Sequence, residues 1–236
     1  MLNDFINLEN LLTFNSMDEK TIGRIIRKMQ KCRRNSPPTA VESFVQLNRK
    51  KNPFKVLVST IISLRTKDEV TYESAKSLFK LATTPQRMSS LTIREIQKAI
   101  YPCGFYKNKS KVIRNLSKKI EIEYNGITPD SIDELLKFNG VGRKTANLVV
   151  TLGYDKPGIC VDTHVHRIFN RIGYVETKTP DETEFALRKK LPKKYWKPIN
   201  SLLVFYGQKI CKPISPYCTK CEIKKDCKRN GVKTNR

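Results

Sequence analysis

The chain has 236 residues, 39% of them hydrophobic, which is enough to bury a core and excludes a wholly disordered polymer. Lys and Arg number 46 against 22 Asp and Glu, and the resulting formal net charge of +24 indicates a polyanionic partner. A merely solvated basic surface and binding to an anionic membrane surface are the alternatives. No apolar stretch reaches the roughly 18 residues of a membrane-spanning helix, so we expect none.

Helical patterns dominate the sequence. Residues 54–64 form the longest apolar run and predict a buried helix, although their β-branched members would also allow a strand. Capping-box patterns predict helix starts at Thr92/Glu95, Ser131/Glu134 and Thr179/Glu182. Apolar residues recur at helical spacing at Val112, Leu116 and Ile120, and again at Val165, Ile168, Phe169 and Ile172. Alternating strand patterns are scarce, so the predicted fold class is all-α.

Residues 131–148 predict two helices joined by a short turn, with the second helix beginning near Arg143. Gly140 and Gly142 in the turn let the backbone take positive φ and approach another molecule closely. The N–H groups at the start of the second helix would then hold a phosphate without reading base sequence. A tight turn between helices that binds nothing is the alternative.

Two other glycine motifs do not fit this turn. A P-loop needs G-x-x-x-x-G-K-[ST] after a strand, whereas here Arg143 separates Gly142 from Lys144 and no strand is predicted before it. A dinucleotide-binding fingerprint needs a third glycine at the position of Thr145. The turn is therefore interpreted as a helical hairpin.

Lys144 occupies the first turn of the second predicted helix. The helix dipole and the like charge of Arg143 both disfavour the protonated amine there, and burial would act in the same direction. A neutral lysine amine can attack a carbon atom and form a Schiff base. The alternative is an exposed or phosphate-binding lysine, which is common in a chain with this many cations.

Asp162 precedes another predicted helix, in the stretch VDTHVHRI. Its carboxylate can cap that helix, and the same carboxylate can stabilise positive charge or handle protons. Capping alone is the alternative, and the two roles are compatible. His164 and His166 point to different faces of the helix, which disfavours a shared metal site. His164 either faces a phosphate or is an ordinary surface residue.

Four of the seven cysteines have the spacing C-x6-C-x2-C-x5-C, namely Cys211, Cys218, Cys221 and Cys227. Four thiolates in one short segment without histidine predict an all-sulfur site for zinc or for an iron–sulfur cluster. Zinc sites usually show two close pairs, and only one C-x2-C pair is present, so the spacing favours [4Fe–4S]. No signal-peptide pattern is visible and disulfides are not expected. The other cysteines are predicted to be packing residues: Cys32, Cys103 and Cys160.

Taken together, NGVGRKTAN, VDTHVHR and the cysteine spacing resemble the endonuclease III family of DNA glycosylases, over about residues 53–227. YPCGFYKNK and LLVFYGQKIC are most similar to its eukaryotic branch. The resemblance implies a two-lobed helix-hairpin-helix fold with DNA in the cleft and a C-terminal iron–sulfur cluster loop. Residues 46–156 would form a six-helix barrel with the hairpin. Residues 1–45 and 157–236 would form a discontinuous helical lobe that carries a [4Fe–4S] loop at 211–227.

The resemblance also implies an activity in base excision repair. Such enzymes are bifunctional. Their DNA glycosylase activity removes oxidised pyrimidines from duplex DNA, and their AP lyase activity cleaves abasic sites by β-elimination. Lys144 matches the family's nucleophile and Asp162 its catalytic aspartate. Arg65 stands where a glutamine that fills the gap of the flipped base is common, and Phe105 where an apolar residue wedges into the stack. The implied DNA contacts are Arg65, Phe105, Gly140, Gly142, Arg143 and His164, and the implied cluster ligands are the four cysteines named above.

The expected partner is duplex DNA with damaged pyrimidines or abasic sites, and the expected state is a monomer without membrane attachment. The eukaryotic likeness predicts the nucleus, with the mitochondrion as a second compartment, or the cytoplasm and nucleoid if the source is a prokaryote. Two other functions stay open at this point. A non-catalytic DNA-binding module with a structural metal cluster would bind abasic DNA without cleaving it. An electron carrier would need only the cysteines.

Overall fold

The computed structural model describes residues 17–33 and 52–236. Within those residues the secondary structure is helical and contains no strand. In chain order the helices are α1 Glu19–Arg33, α2 Pro53–Ser63, α3 Asp68–Leu81, α4 Pro85–Ser90, α5 Ile93–Ile100, α6 Tyr106–Glu123, α7 Ile132–Leu136, α8 Arg143–Leu148, α9 Thr163–Ile172, α10 Pro180–Lys190 and α11 Trp196–Lys209. A π-helical turn, Val149–Gly153, extends α8, and a 3-10 turn, Lys193–Tyr195, precedes α11. None of the described helices combines the length and apolarity needed to cross a membrane.

The first of two clusters of buried apolar side chains is built around α2. Asn52 starts this helix, because its side-chain oxygen accepts a hydrogen bond from the Lys55 N–H at 3.0 Å. Leu57, Val58 and Ile62 of α2 are fully buried. The helix packs against α3, α6, α8 and the π-helical turn, while α4 and α5 pack on α6. The longest apolar run is therefore a central helix, as predicted, and not a strand.

The second cluster combines α1 with α9, α10 and α11. α9 and α1 both pack on α11, and α10 packs on α9. Ile22, Phe169 and Tyr206, from three of these helices, have almost no exposed surface. Because α1 precedes the whole first cluster in the chain, the second cluster is discontinuous in sequence. The limits predicted for the two lobes stay a prediction, and the limit between residues 45 and 46 lies outside the described residues.

Local sequence determines the helix starts. At α5, Thr92 and Glu95 form the predicted capping box: Thr92 Oγ1 accepts from the Glu95 N–H at 3.2 Å, and Glu95 Oε2 accepts from the Thr92 N–H at 2.8 Å. Ser131 and Thr179 also cap α7 and α10. The acids of these two patterns also accept from other donors: Glu134 from Tyr124 and Lys137, and Glu182 from the Lys178 N–H.

The three cysteines outside the C-terminal group differ in burial. Cys103 and Cys160 are buried, as expected of packing residues. The same prediction is wrong for Cys32, which is exposed. It lies in the last turn of α1, beyond the residues of that helix that enter the second cluster.

Candidate active site

α7 and α8 form the predicted hairpin, and its two glycines have different roles. Gly140 has φ +83°, and a Cβ there would lie 2.8 Å from Val112 Cγ1 on α6, so conformation and packing both require glycine. Gly142 has φ −97°, and a Cβ there would meet nothing within 4 Å. Gly142 does not use the positive φ that glycine permits, because this residue is the N-cap of α8 and N-caps take the extended conformation.

Lys144 is the second residue of α8, and its side chain lines a cleft of about 620 Å³. Both apolar clusters contribute walls to this cleft. On the side of the first cluster the cleft is lined by residues that include Arg65, Lys144, Leu148 and Thr151. On the side of the second cluster the lining residues include Asp162, His164, Asn200 and Val204. Among the residues that the structure describes, none forms a hydrogen bond or ion pair with the Lys144 amine.

Asp162 is the N-cap of α9, as predicted. Its Oδ1 accepts hydrogen bonds from the backbone N–H groups of His164 and Val165, both at 2.9 Å. The carboxylate is thereby fixed at the cleft wall that faces Lys144. Because capping uses Oδ1 alone, the second oxygen, Oδ2, can act on a bound molecule.

His164 lies in the first turn of α9 and is half-buried. Its Nδ1 lies 3.1 Å from Arg167 NH2. A guanidinium has no acceptor, so Nδ1 must accept here and the ring proton must be on Nε2. Burial lowers the pKa of His164 although Asp162 acts in the opposite direction, which keeps the ring neutral near pH 7. The ring can therefore offer one N–H donor to the cleft, but it does not add a positive charge.

Arg143 does not present a free charge beside Lys144. Its guanidinium donates through Nε and NH2 to the two carboxylate oxygens of Glu184 on α10, at 2.9 and 2.8 Å. Arg188 Nε donates to the same carboxylate at 2.8 Å. Glu184, whose side chain is only 2% exposed, thus offsets part of the like-charge effect expected of Arg143 on Lys144, because its single negative charge is shared with Arg188.

Asn147 completes this connection between the two apolar clusters. Its side-chain oxygen accepts from Arg188 NH2 at 3.0 Å and from the Ile159 N–H at 3.1 Å, while its Nδ2 donates to the Arg143 carbonyl at 3.1 Å. Asn147 is fully buried. The short helix that carries Lys144 is therefore held against α10 by a buried polar network.

Arg65 and Phe105, predicted to enter DNA, lie against each other at the same end of the first cluster. Arg65 lines the cleft, and its guanidinium lies 4.5 Å from the centroid of the Phe105 ring. Both residues have positive φ, +55° and +58°. Phe105 is 57% exposed, so its ring is accessible to a bound molecule.

The four C-terminal cysteines line one small, apolar-walled cavity. Arg171 NH1 donates to Cys211 Sγ at 3.4 Å, and Tyr206 Oη lies 3.1 Å from Cys221 Sγ. A buried guanidinium beside four potential thiolates compensates negative charge, so the donor set fits an anionic metal–sulfur group. Across residues 17–33 and 52–236, no three His, Cys, Asp or Glu side chains are grouped as ligands of one metal ion.

Sequence analysis missed three residues that hold this site together: Glu184, Asn147 and Lys109. The first two connect elements far apart in the chain, which no local pattern reveals. Lys109 did carry a signal, because it lies four residues before Ile113 on the buried face of α6. A lysine at such a position is buried only when its ammonium group is paired.

Residues 58–193, more than half of the chain, match the family described as HhH-GPD superfamily base excision DNA repair protein. Endonuclease III of Thermotoga maritima is 46% identical over 187 residues, which cover 79% of this chain and 88% of that one. Endonuclease III-like protein 1 of Gallus gallus is 39% identical over 171 residues, covering 71% of this chain and 61% of that one. The solved structure of a trapped Endonuclease III–DNA covalent intermediate has a TM-score of 0.78 at 31% identity, covering 89% of this chain and 96% of that chain.

The helical hairpin, the two-cluster fold and these matches define the class: the chain belongs to the HhH-GPD superfamily of base excision DNA repair proteins. Within that superfamily it is a member of the endonuclease III family. The predicted resemblance and the helix-hairpin-helix glycosylase fold are confirmed. The protein is a DNA N-glycosylase with AP lyase activity, and DNA is its partner. The non-catalytic module and the electron carrier are not supported.

Proposed function

We propose that this enzyme removes oxidised pyrimidines from duplex DNA and then cleaves the strand through a Schiff base on Lys144. One observation carries the proposal: Lys144 and Asp162, held by different apolar clusters, line the same cleft. The cleft holds an amine that no described side chain engages and a carboxylate with one oxygen left for chemistry. That pair suits formation of a covalent bond to a sugar carbon.

Recognition begins with the phosphates. The net charge of +24 attracts duplex DNA, with an affinity that falls steeply as salt rises. Further contacts come from the backbone around Gly140 and Gly142, from NH1 of Arg143, the guanidinium nitrogen that Glu184 does not engage, and from the Nε2–H of His164. A damaged pyrimidine pairs and stacks poorly, so rotating it out of the duplex costs less than extruding an intact base. Arg65 and Phe105 then fill the vacancy in the stack.

The chemistry follows from the two groups in the cleft. The neutral Lys144 amine attacks C1′ of the extruded nucleotide, and the bond from C1′ to the base breaks with its electron pair leaving on the base, which takes up a proton. Opening of the sugar ring gives a Schiff base between Nζ and C1′. Loss of a C2′ proton then expels the 3′ phosphate by β-elimination, and hydrolysis releases the lysine. The Asp162 carboxylate stabilises the positive charge on the sugar and assists the proton transfers.

The proposed cofactor is a [4Fe–4S] cluster held by Cys211, Cys218, Cys221 and Cys227. The all-sulfur donor set, the shared cavity and the guanidinium of Arg171 support it. When bound, the cluster would supply a rigid cross-link of the C-terminal loop. The basic stretch KKDCKR would then be ordered for contact with DNA. Iron and sulfide analysis of the purified protein tests this assignment, and a chain that folds fully without either element would exclude it.

The monomeric state and the compartment are also part of the proposal. Eukaryotic relatives suggest nuclear or organellar DNA, and we propose the nucleus first and the mitochondrion second. Scattering or sedimentation of the protein in solution tests the monomer, and localisation of the tagged full chain tests the compartment.

Borohydride trapping tests the nucleophile, because it reduces a Schiff base to a stable amine. With a duplex that carries an abasic site, the wild type should give a covalent protein–DNA product and Lys144→Gln should give none. Lys98→Gln removes the same charge from an exposed position on α5 and should still trap. The assignment fails if the wild type does not trap, or if Lys144→Gln traps as well as the wild type. A panel of duplexes with single lesions, read as base release, tests the preference for oxidised pyrimidines.

A further inference from the structure

Lys109 on α6 is 6% exposed. All three hydrogen bonds of its ammonium group go to one turn of the chain. Nζ donates to the Ile62 carbonyl at 2.7 Å, to the Leu64 carbonyl at 2.6 Å and to Thr66 Oγ1 at 2.9 Å. An ammonium group has three protons, so no donor is left over. Burial lowers the pKa of Lys109, because a cation is costly in this environment, and the three acceptors offset that cost.

The three acceptors belong to the end of α2 and to the turn that follows it. The last carbonyls of a helix have no partner within the helix and carry partial negative charge, which a cation satisfies. The turn then takes Arg65 to φ +55°. A residue other than glycine stays in that left-handed region only where its surroundings hold it there. Lys109 binds the Leu64 carbonyl just before Arg65 and the Thr66 hydroxyl just after it, so it restrains the turn on both sides of Arg65.

A second turn, which carries Phe105, is attached to the first. The Gly104 N–H donates to Thr66 Oγ1 at 3.1 Å, the same oxygen that accepts from Lys109. The Phe105 carbonyl accepts from the backbone N–H of Lys109 at 3.0 Å. A Cβ at Gly104 would lie 2.7 Å from the Arg65 carbonyl oxygen, so the two turns touch through their backbones. The two turns therefore form one packed unit with Lys109 at its centre.

We propose that Lys109 is a positioning residue that holds Arg65 and Phe105 together as one rigid unit for insertion into the DNA stack. The inference rests on the proposed function, in which these two side chains fill the space of the extruded base. Lys109 is not one of the described residues that line the cleft, so it acts on the inserted side chains only through the two turns that carry them. A rigid pair enters the stack without first losing conformational freedom, which favours the extruded state of the base.

The proposal predicts different effects on two substrates. An intact lesion must be rotated out of the duplex before Lys144 can react, whereas an abasic site has no base to extrude. Lys109→Met keeps the length of the side chain and removes the ammonium group. In single-turnover assays with 5-hydroxycytosine opposite guanine, base release should fall by about tenfold or more. Strand cleavage at a preformed abasic site opposite guanine should fall by much less.

Lys118→Met is the matched control, because Lys118 lies on the same helix and is exposed. It removes the same charge and should leave both rates unchanged. A second measurement places 2-aminopurine next to the lesion. The fluorescence of 2-aminopurine rises when its neighbour unstacks. At saturating protein this rise should be smaller or slower with Lys109→Met than with the wild type. A purely structural role predicts equal loss on both substrates, in proportion to the folded fraction, and no change in the fluorescence of the bound complex.

Two changes at Thr66 keep the test decisive if Lys109→Met does not fold. Thr66→Val removes the hydroxyl that joins Lys109 to the Phe105 turn, and it should also lower base release more than abasic-site cleavage. Thr66→Ser restores the hydroxyl and should behave as the wild type. If Lys109→Met and Thr66→Val both match the wild type on both substrates, the inference is wrong and the proposed function stands. If the wild type itself releases no damaged base, the proposed function fails instead.

Discussion

Asp162 has a structural role and a proposed chemical role, and the structure allows the two to be separated by mutation. The structural role is the N-cap of α9, made by Oδ1 with two backbone N–H groups at 2.9 Å. The chemical role needs the negative charge of the carboxylate. Asn is as good an N-cap as Asp but is neutral, so Asp162→Asn removes the charge and keeps the cap, while Asp162→Ala removes both.

The expected magnitudes differ for the two variants. Loss of an N-cap costs about 1 kcal/mol, and up to about 2 kcal/mol where the helix is packed. α9 is packed through Val165 and Phe169, so Asp162→Ala should lose roughly 2 kcal/mol of unfolding free energy, which lowers the Tm by about 4–8 °C for a chain of this size. Asp162→Asn should change stability by less than about 0.5 kcal/mol. Both should lose about 10²–10³ in the single-turnover rate of base release, the usual effect of removing one electrostatic stabiliser of a transition state.

The assay is single-turnover base release by the folded fraction, combined with denaturant unfolding of each variant. Full activity in Asp162→Asn would refute the chemical role and reduce Asp162 to a cap. A large loss of stability in Asp162→Asn would refute the separation itself, because capping would then depend on the charge.

Three further variants test the polar network at Glu184 and the two glycines of the hairpin. Glu184→Gln should lose about 2 kcal/mol of unfolding free energy, below the 3–5 kcal/mol of a fully buried pair because its two arginine partners are partly exposed. Burial alone would raise the pKa of Glu184, but bonds from its arginine and asparagine partners lower it below its ordinary value of 4.5. The carboxylate therefore stabilises the fold above pH 4.5, and the difference in unfolding free energy between the wild type and Glu184→Gln should shrink as the pH falls below that value. An undiminished difference at acidic pH would contradict this. Gly140→Ala should weaken both stability and DNA binding, because the new Cβ meets Val112 in a left-handed conformation. Gly142→Ala should lose less stability than Gly140→Ala in thermal unfolding, because its new Cβ meets nothing within 4 Å and only the poorer N-cap preference of Ala acts against it. A loss of DNA affinity in that variant would locate the backbone approach at Gly142, whereas a loss of stability as large as that of Gly140→Ala would contradict the open space seen there.

Features that depend on neighbouring residues were predictable from sequence. The cap at Asp162, the capping box of α5 and the start of α8 at Arg143 each follow from bonds that span two to four residues. The same reasoning placed Lys144 in the first turn of a helix. It brought Lys144 and Asp162 into one site only through the resemblance, because nothing local links two helix starts in different parts of the chain.

Features that depend on tertiary pairing were not predictable. Arg143 was expected to add a free positive charge beside Lys144, but a carboxylate 41 residues later pairs with it. Gly140 uses the positive φ that glycine permits and Gly142 does not, because Gly142 is an N-cap and that position is extended. Lys109 shows the opposite case: its periodic position pointed to burial, but only the fold shows which carbonyls accept its protons.

The positions of the two reacting groups depend on how the two apolar clusters meet. Lys144 belongs to α8, which is held to α10 by Glu184 and Asn147, while Asp162 is fixed to α9 by its own cap. The placement of the helix start that carries Lys144 is therefore set in part by a buried polar network between α8 and α10. An error of about 1 Å in such a placement can cost 10²-fold in rate without weakening binding. A change in that network should consequently reduce the rate of base release more than the affinity for DNA.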